Sequence, residues 1–135
     1  MEQVQEKYYE MQILNSHIDK LEDNSSKVIE QIEEVNLILN SLDEMKNVKE
    51  NKEILVPIAN GIFAKAKTSN DNKLIVNVGQ NTLVEKNIDE TKELISKQLI
   101  ELEEYKSLID NELNKLYEKI KKIETEADEM VNKNV

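Results

Sequence analysis

In a chain of 135 residues, 34% of side chains are charged, 4% are aromatic and none is Trp, too few large apolar groups for a single compact core of that size. A net charge of −10, with every basic residue a lysine, disfavours nucleic acid and anionic membrane as partners, and the absence of cysteine excludes disulfides and thiolate metal sites. No run approaches the ~18 apolar residues of a membrane span and the polar first residues carry no leader pattern, so a soluble, cytoplasmic protein is expected.

The charge is unevenly spread. Residues 1–47 carry 4 Lys against 11 acids, residues 88–135 carry 8 against 13, and residues 48–87 carry 6 Lys against 4 acids. The same boundaries divide the chain by pattern, into an N-terminal coiled-coil helix (1–47), a β-hairpin oligomerisation insert (48–87) and a C-terminal coiled-coil helix (88–135).

In the first segment the apolar positions are Val4, Tyr8, Met11, Leu14, Ile18, Leu21, Val28, Ile32, Val35, Leu39, Leu42 and Met45, with Ser25 the one polar intruder. From Leu14 to Leu42 they alternate by four and three, the heptad signature of a coiled coil. The step from Met11 to Leu14 is three where four was due, which predicts local overwinding near the N-terminal end. Neither Pro nor Gly interrupts these residues, so at 1.5 Å each the helix can run ~65–70 Å.

The insert holds both glycines and the only proline. Short Val/Ile/Phe runs bounded by Asn, Gly, Ser and Asp predict four strands in meander order, near residues 54–59, 62–67, 73–78 and 82–84. Asn60-Gly61 predicts a type I′ hairpin turn, because both positions of that turn need positive φ. Pro57 lacks an N–H, so the first strand is expected to lie at an edge or to carry a bulge. A small four-stranded sheet leaves edges open, which makes it the expected place of assembly. The candidate oligomerisation residues are Ile54, Val56, Ile58, Ile62, Phe63, Ala64, Leu74, Ile75, Val76, Val78, Leu83 and Val84.

Asp89, followed by Glu90 and Glu93, is read as the N-cap of the last helix. Ile88, Lys92, Ile95, Leu99, Leu102, Lys106, Ile109, Leu113, Leu116, Ile120, Ile123, Ala127 and Met130 keep an unbroken four–three alternation. Folded back antiparallel, the two seams pair with residue numbers adding to about 134, so that Met45 faces Ile88, Val28 faces Lys106 and Val4 faces Met130. Lys92 and Lys106 then lay their stems along the seam with the charge in water. Off the seam, Leu37, Ile38, Leu94 and Ile100 widen the apolar surface near the insert. Met1, Tyr8, Tyr9, Met11, Met130, Val131 and Val135 do so at the far end. Reactive chemistry is sparse: the single His17 has no ligand partner in the pattern, no glycine-rich phosphate loop occurs, and the carboxylates fall on solvated helix faces. An enzyme is not expected, and no cofactor or metal is implied.

The insert resembles that of the prefoldin family. Glu53-Ile54-Leu55-Val56-Pro57-Ile58 and Phe63-Ala64-Lys65-Ala66-Lys67 look like the first hairpin of its α-class subunits. Val76-Asn77-Val78-Gly79-Gln80-Asn81 and Val84-Glu85-Lys86-Asn87-Ile88-Asp89-Glu90 look like the segment entering the second helix. Four strands point to the α class, while the turn Ala59-Asn60-Gly61-Ile62 is less glycine-rich than that class leads one to expect. Both the ordinary α subunit and the filament-forming γ-type paralogue therefore stay open, in an archaeal setting that the Lys/Glu/Asn/Ile-rich composition suits. The resemblance implies a mostly helical α+β fold, a long antiparallel two-helix coiled coil joined by two β-hairpins that enter a β-barrel body with other subunits. It further implies an ATP-independent chaperone that joins β-type subunits or itself, holds unfolded proteins at its tips and hands them to a group II chaperonin. Val4, Tyr8, Tyr9, Met11, Ala127, Met130 and Val131, with Met1 and Val135, are the candidate client-binding residues, because Met and Tyr offer adaptable apolar contacts.

Overall fold

A computed structural model of the chain describes residues 2–48, 50–69 and 72–133. In order, the elements are α1 (Glu2–Met45), β1 (Glu53–Ala59), β2 (Ile62–Lys67), β3 (Lys73–Asn77), β4 (Leu83–Asn87) and α2 (Ile88–Lys133). The chain divides into two compact units, residues 1–33 with 100–135, and residues 34–99.

In the first unit the two helical segments run antiparallel around one apolar seam. Ile18, Val28, Ile109, Leu113 and Leu116 are its buried cluster, and Leu14, Leu21, Ile32, Leu102 and Ile120 pack against it. Ser25 is half-buried within it, a small seam residue. Lys106 is half-buried too, and its Nζ reaches Asp110 Oδ2 at 2.8 Å, one turn along its own helix. At the N-terminal end the seam differs from the expectation. Tyr8 stands 50% exposed, whereas Lys7 is half-buried and its Nζ lies 3.0 Å from Glu126 Oε2. The four–three alternation therefore continues through Met11, Lys7 and Val4, and the overwound step does not arise. A lysine stem can line a seam provided its ammonium finds a partner outside, and Glu126 provides one.

In the second unit Val35, Leu42 and Ile88 are buried and Leu39, Ile95 and Leu99 half-buried, while Met45, the last residue of α1, is exposed. Two ion pairs reach α2 here, one from α1 and one from the residue that follows it. Lys46 Nζ lies 2.7 Å from Asp89 Oδ1, and Lys92 pairs with Asp43. Residue numbers in these pairs and in Lys7–Glu126 add to about 134, the register the seams predict.

The four strands form two separate antiparallel ribbons, β1–β2 and β3–β4, rather than one four-stranded meander. Thr68 explains why β2 does not turn onto β3. Its N–H donates to the Lys52 carbonyl (2.9 Å), its carbonyl accepts from Asn51 N–H (3.0 Å) and its hydroxyl accepts from Lys52 N–H (2.9 Å). The chain leaving β2 thus stays bound to the chain entering β1. The register of β1–β2 slips between Pro57 and Ala59, leaving Ile58 as the extra residue of a bulge.

Turn chemistry is exchanged between the hairpins. Only Gly61 has positive φ (76°) at the first turn, so Asn60-Gly61 is not type I′. At the other turn Gln80 (50°) and Asn81 (58°) both have positive φ, and Thr82 N–H donates to the Gly79 carbonyl at 2.9 Å, the type I′ arrangement. The bulge at Ile58 supplies twist next to the first turn, so that turn has no need of the doubly left-handed form. Strand β4 runs on to Asn87, its charged end paired along β3, with Ile75 opposite Glu85 and Leu74 opposite Lys86.

The cap of α2 is Asn87 rather than Asp89. Asn87 Oδ1 accepts from Glu90 N–H at 2.7 Å, and the Asn87 carbonyl accepts from the Thr91 hydroxyl at 2.8 Å, which accounts for the buried Thr91. Asparagine is a strong N-cap because its side-chain oxygen satisfies an orphan amide of the first turn. Asp89, within that turn, pairs with Lys46 instead.

Candidate functional site

An antiparallel ribbon presents cross-strand pairs alternately on its two faces. In β1–β2, Ile54 opposite Ala66 and Val56 opposite Ala64 form one face, and Leu55 opposite Lys65 and Pro57 opposite Phe63 form the other. Every residue of β1 is exposed, but Ala64 and Ala66 of β2 are half-buried, so the Ile54–Val56 face is partly covered and the Leu55–Phe63 face is the more open one. Of the residues expected to drive assembly, Ile54, Val56, Ile58, Ile62, Phe63 (57%), Ile75 (70%), Val78 and Leu83 are exposed. Ala64, Leu74, Val76 and Val84 are half-buried. Leu74 lines a groove of about 190 Å³ with Met45, Val48, Ile54 and Ile88. Leu55 and Val48 also stand exposed and escaped the sequence reading. Leu55 sits between two residues assigned to one face, and strict alternation counts only one face as apolar.

The residues expected to hold clients divide by direction. Val4 and Ala127 are buried and Met11 and Met130 half-buried, whereas Tyr8, Tyr9 and Val131 are exposed; Met1 and Val135 lie outside the described residues. Ile13 is a further exposed apolar residue of this end, beside a groove of about 360 Å³ lined by Glu10, Ile13, Leu14, Lys119 and Ile123. The heptad reading passed over it because it adjoins a seam residue without being one.

The charged groups are arranged for pairing. The hydrogen bond and charge of Lys46 hold the Asp89 carboxyl below its ordinary range, and Lys7 does the same to Glu126. Each lysine is correspondingly raised. The Tyr117 hydroxyl donates to Glu22 Oε1 at 2.5 Å, and that bond, burial and the nearby negative charge raise its pKa. Among the described residues no three His, Cys, Asp or Glu side chains gather to hold a metal, and no helix is long and apolar enough to cross a membrane. His17 is exposed on α1.

Helices that fill their own seam, joined to ribbons that keep large apolar side chains exposed, define a coiled-coil chain with a strand insert. A family model described as Prefoldin subunit matches residues 14–133, and the chain belongs to that family. It is 35% identical to Prefoldin subunit alpha of Methanococcus maripaludis strain C7 over 105 residues, 78% of this chain and 71% of the relative. Prefoldin subunit alpha of Pyrococcus horikoshii is 36% identical over 97 residues, covering 71% of this chain and 66% of that one. Among solved structures, filamentous prefoldin from Methanocaldococcus jannaschii, determined by cryo-electron microscopy, has the same fold. Its TM-score is 0.75 at 23% identity, over 85% of this chain and 95% of that one. The family match extends well into both helices, beyond the insert whose residues carry the resemblance.

Proposed function

We propose that this chain is an α-type subunit of an ATP-independent, non-enzymatic holding chaperone of the cytoplasm. Its insert, residues 48–87, is the oligomerisation element: the strands join those of β-type subunits in a barrel body. The far ends of the helices hold unfolded proteins before transfer to a group II chaperonin. The observation that carries this reading is the run of exposed apolar side chains on both faces of β1–β2, at Ile54, Leu55, Val56, Ile58, Ile62 and Phe63. Apolar surface of this density on short ribbons is the mark of an interface. The identity to α subunits supports the choice of class.

At the far end Tyr8, Tyr9 and Val131 are the outward client contacts, with Met1 and Val135 proposed to join them. Val4, Met11, Ala127 and Met130 fill the seam beneath. Each contact is weak, and several subunits on one body raise the effective concentration. Truncation at Ile123 tests the division of labour. Assembly is expected to survive while suppression of client aggregation falls; suppression at the full-length level would remove the client role from the tip.

A second reading, a γ-type homopolymer that builds filaments through the same strands, is favoured by the filamentous state of the solved neighbour. Sedimentation of the pure chain separates the two. An α subunit stays small until a β-type subunit is added, and a γ-type chain grows long alone.

A further inference from the structure

Asn60-Gly61 is the only Asn-Gly pair in the chain, and it forms the apex of the β1–β2 hairpin. Asparagine side chains cyclise when the backbone nitrogen of the next residue can reach the side-chain carbonyl carbon, and three observations bear on that here. Gly61 has no Cβ, and apart from its chain neighbours the space where one would stand is empty to 4 Å, so no side chain crowds the turn there. Among the described residues the Gly61 N–H has no backbone acceptor and the Asn60 side-chain amide no hydrogen-bond partner, so neither reacting group is held by them. Both residues are exposed, which gives water access.

The chain contains its own comparison. Asn15, Asn24 and Asn40 each precede a serine, the next most permissive neighbour by size, yet all three lie inside α1. There the following N–H is committed to the helical ladder, and the backbone cannot swing to the side-chain carbon without local opening.

We propose that Asn60 is a site of spontaneous succinimide formation, at which the chain ages by deamidation. The Gly61 nitrogen, losing its proton, attacks Asn60 Cγ; the new N–C bond closes a five-membered ring as the Cγ–Nδ2 bond breaks and ammonia leaves. Water then opens the ring at either carbonyl, giving aspartate or isoaspartate at position 60 with no oxidant or cofactor. Either product sets a carboxylate beside exposed Ile58, Ile62 and Phe63, and isoaspartate also lengthens the main chain at the hairpin corner. An uncompensated charge resists burial, so aged subunits are left out of assembly. This last step rests on the proposed role of the strands in assembly.

The test ages the intact chain in mildly alkaline buffer and maps peptides by mass spectrometry against N60Q as control. Conversion of the Asn60 peptide is expected to run roughly tenfold or more ahead of the Asn15, Asn24 and Asn40 peptides, the protection that a stable helix gives. It should vanish in N60Q. Equal rates at all four sites would overturn the inference, as would an unchanged Asn60 under conditions that convert a free peptide of the same turn sequence. Sedimentation of the aged mixture with β-type subunit reads the consequence separately. Product enriched in the unassembled fraction supports exclusion. Product spread evenly, in a chain whose assembly still needs residues 60–84, overturns exclusion and leaves the strand role intact.

Discussion

Ile109 and Ile75 are the same side chain in two settings. The first is 4% exposed in the helical seam and the second 70% exposed on β3. The helices put an apolar residue at most three-or-four steps, with Lys7, Ser25, Lys92 and Lys106 at the others, and an antiparallel partner covers them, so the seam is filled from within the molecule. A two-stranded ribbon has two faces and no second layer, and such ribbons are marginal alone. The seam is therefore filled by the chain's own residues, while the insert keeps large apolar side chains in water. The sharpest way to break that contrast is to charge the insert. F63D combined with I75D should leave thermal unfolding within about 0.5 kcal/mol of the parent, as surface changes do. Assembly should be lost, since each apolar side chain kept in water forfeits ~1.5–3 kcal/mol, tenfold or more in the association constant. Sedimentation with β-type subunit checks it, and retained assembly would mean that the strands are not the interface.

The same contrast holds within one helix. Leu113 is 7% exposed in the buried cluster and Leu108, five residues earlier, is 67% exposed. Leu113→Ala should cost ~2–4 kcal/mol by circular-dichroism melting, the usual penalty for a cavity in a packed seam. Leu108→Ala should change stability by less than about 0.5 kcal/mol. Equal effects would show that the heptad assignment does not describe where α2 is buried.

Periodic features were legible in the sequence and singular ones were not. The alternation that named Leu14 to Leu42 and Ile88 to Met130 is repeated so often that no single residue decides it. It failed at Tyr8, where only one more heptad remained and an apolar residue adjoined the true seam position. Counting apolar types alone misses Lys7, because a lysine's suitability depends on Glu126 across the seam, which a one-dimensional pattern does not contain. The separation of the ribbons likewise turns on Thr68 closing back onto residues 51–52, a contact set by three dimensions. Among the proposed site residues, hydrophobicity found Phe63, Ile75 and Tyr9 but not their direction. Tyr9 points outward and Met11 partly inward, and only the finished seam decides between them.

The junction between the two regions gives a smaller effect. Asn87 ends β4 and caps α2, so one side chain serves both patterns. Asn87→Ala should cost about 1 kcal/mol, the usual loss of a helix N-cap. Asn87→Asp, which keeps the accepting oxygen and adds favourable charge at the helix start, should restore most of it. A loss that Asp does not repair would place the role of Asn87 in its strand pairing with Lys73 instead of in the cap.

The smallest effect sets charge against packing. Asp89 and Glu126 have depressed pKa values, so their pairs contribute above the ordinary carboxylate range and fade as pH falls through the depressed values. Lys46 and Lys7 are raised, so the same pairs fade again as pH rises through the raised lysine values. The Tyr117 bond to Glu22 likewise persists below the ordinary tyrosine range and goes as the hydroxyl ionises above it. These groups lie at the surface, Lys7 and Glu126 half-buried and the others exposed, so their contributions are small and screened by salt. Acid also relieves the repulsion of a chain with net charge −10, which works in the opposite direction and hides the loss of single pairs. The informative quantity is therefore the coupling between Lys46→Met and Asp89→Asn in a double-mutant cycle, in which global repulsion and the helix-start effect of Asp89 cancel. That coupling should be flat near neutrality, vanish below the carboxylate range and shrink with added salt. A coupling that survives acid would mean that Lys46 and Asp89 are held by packing, and would move this pair to the seam's side of the contrast.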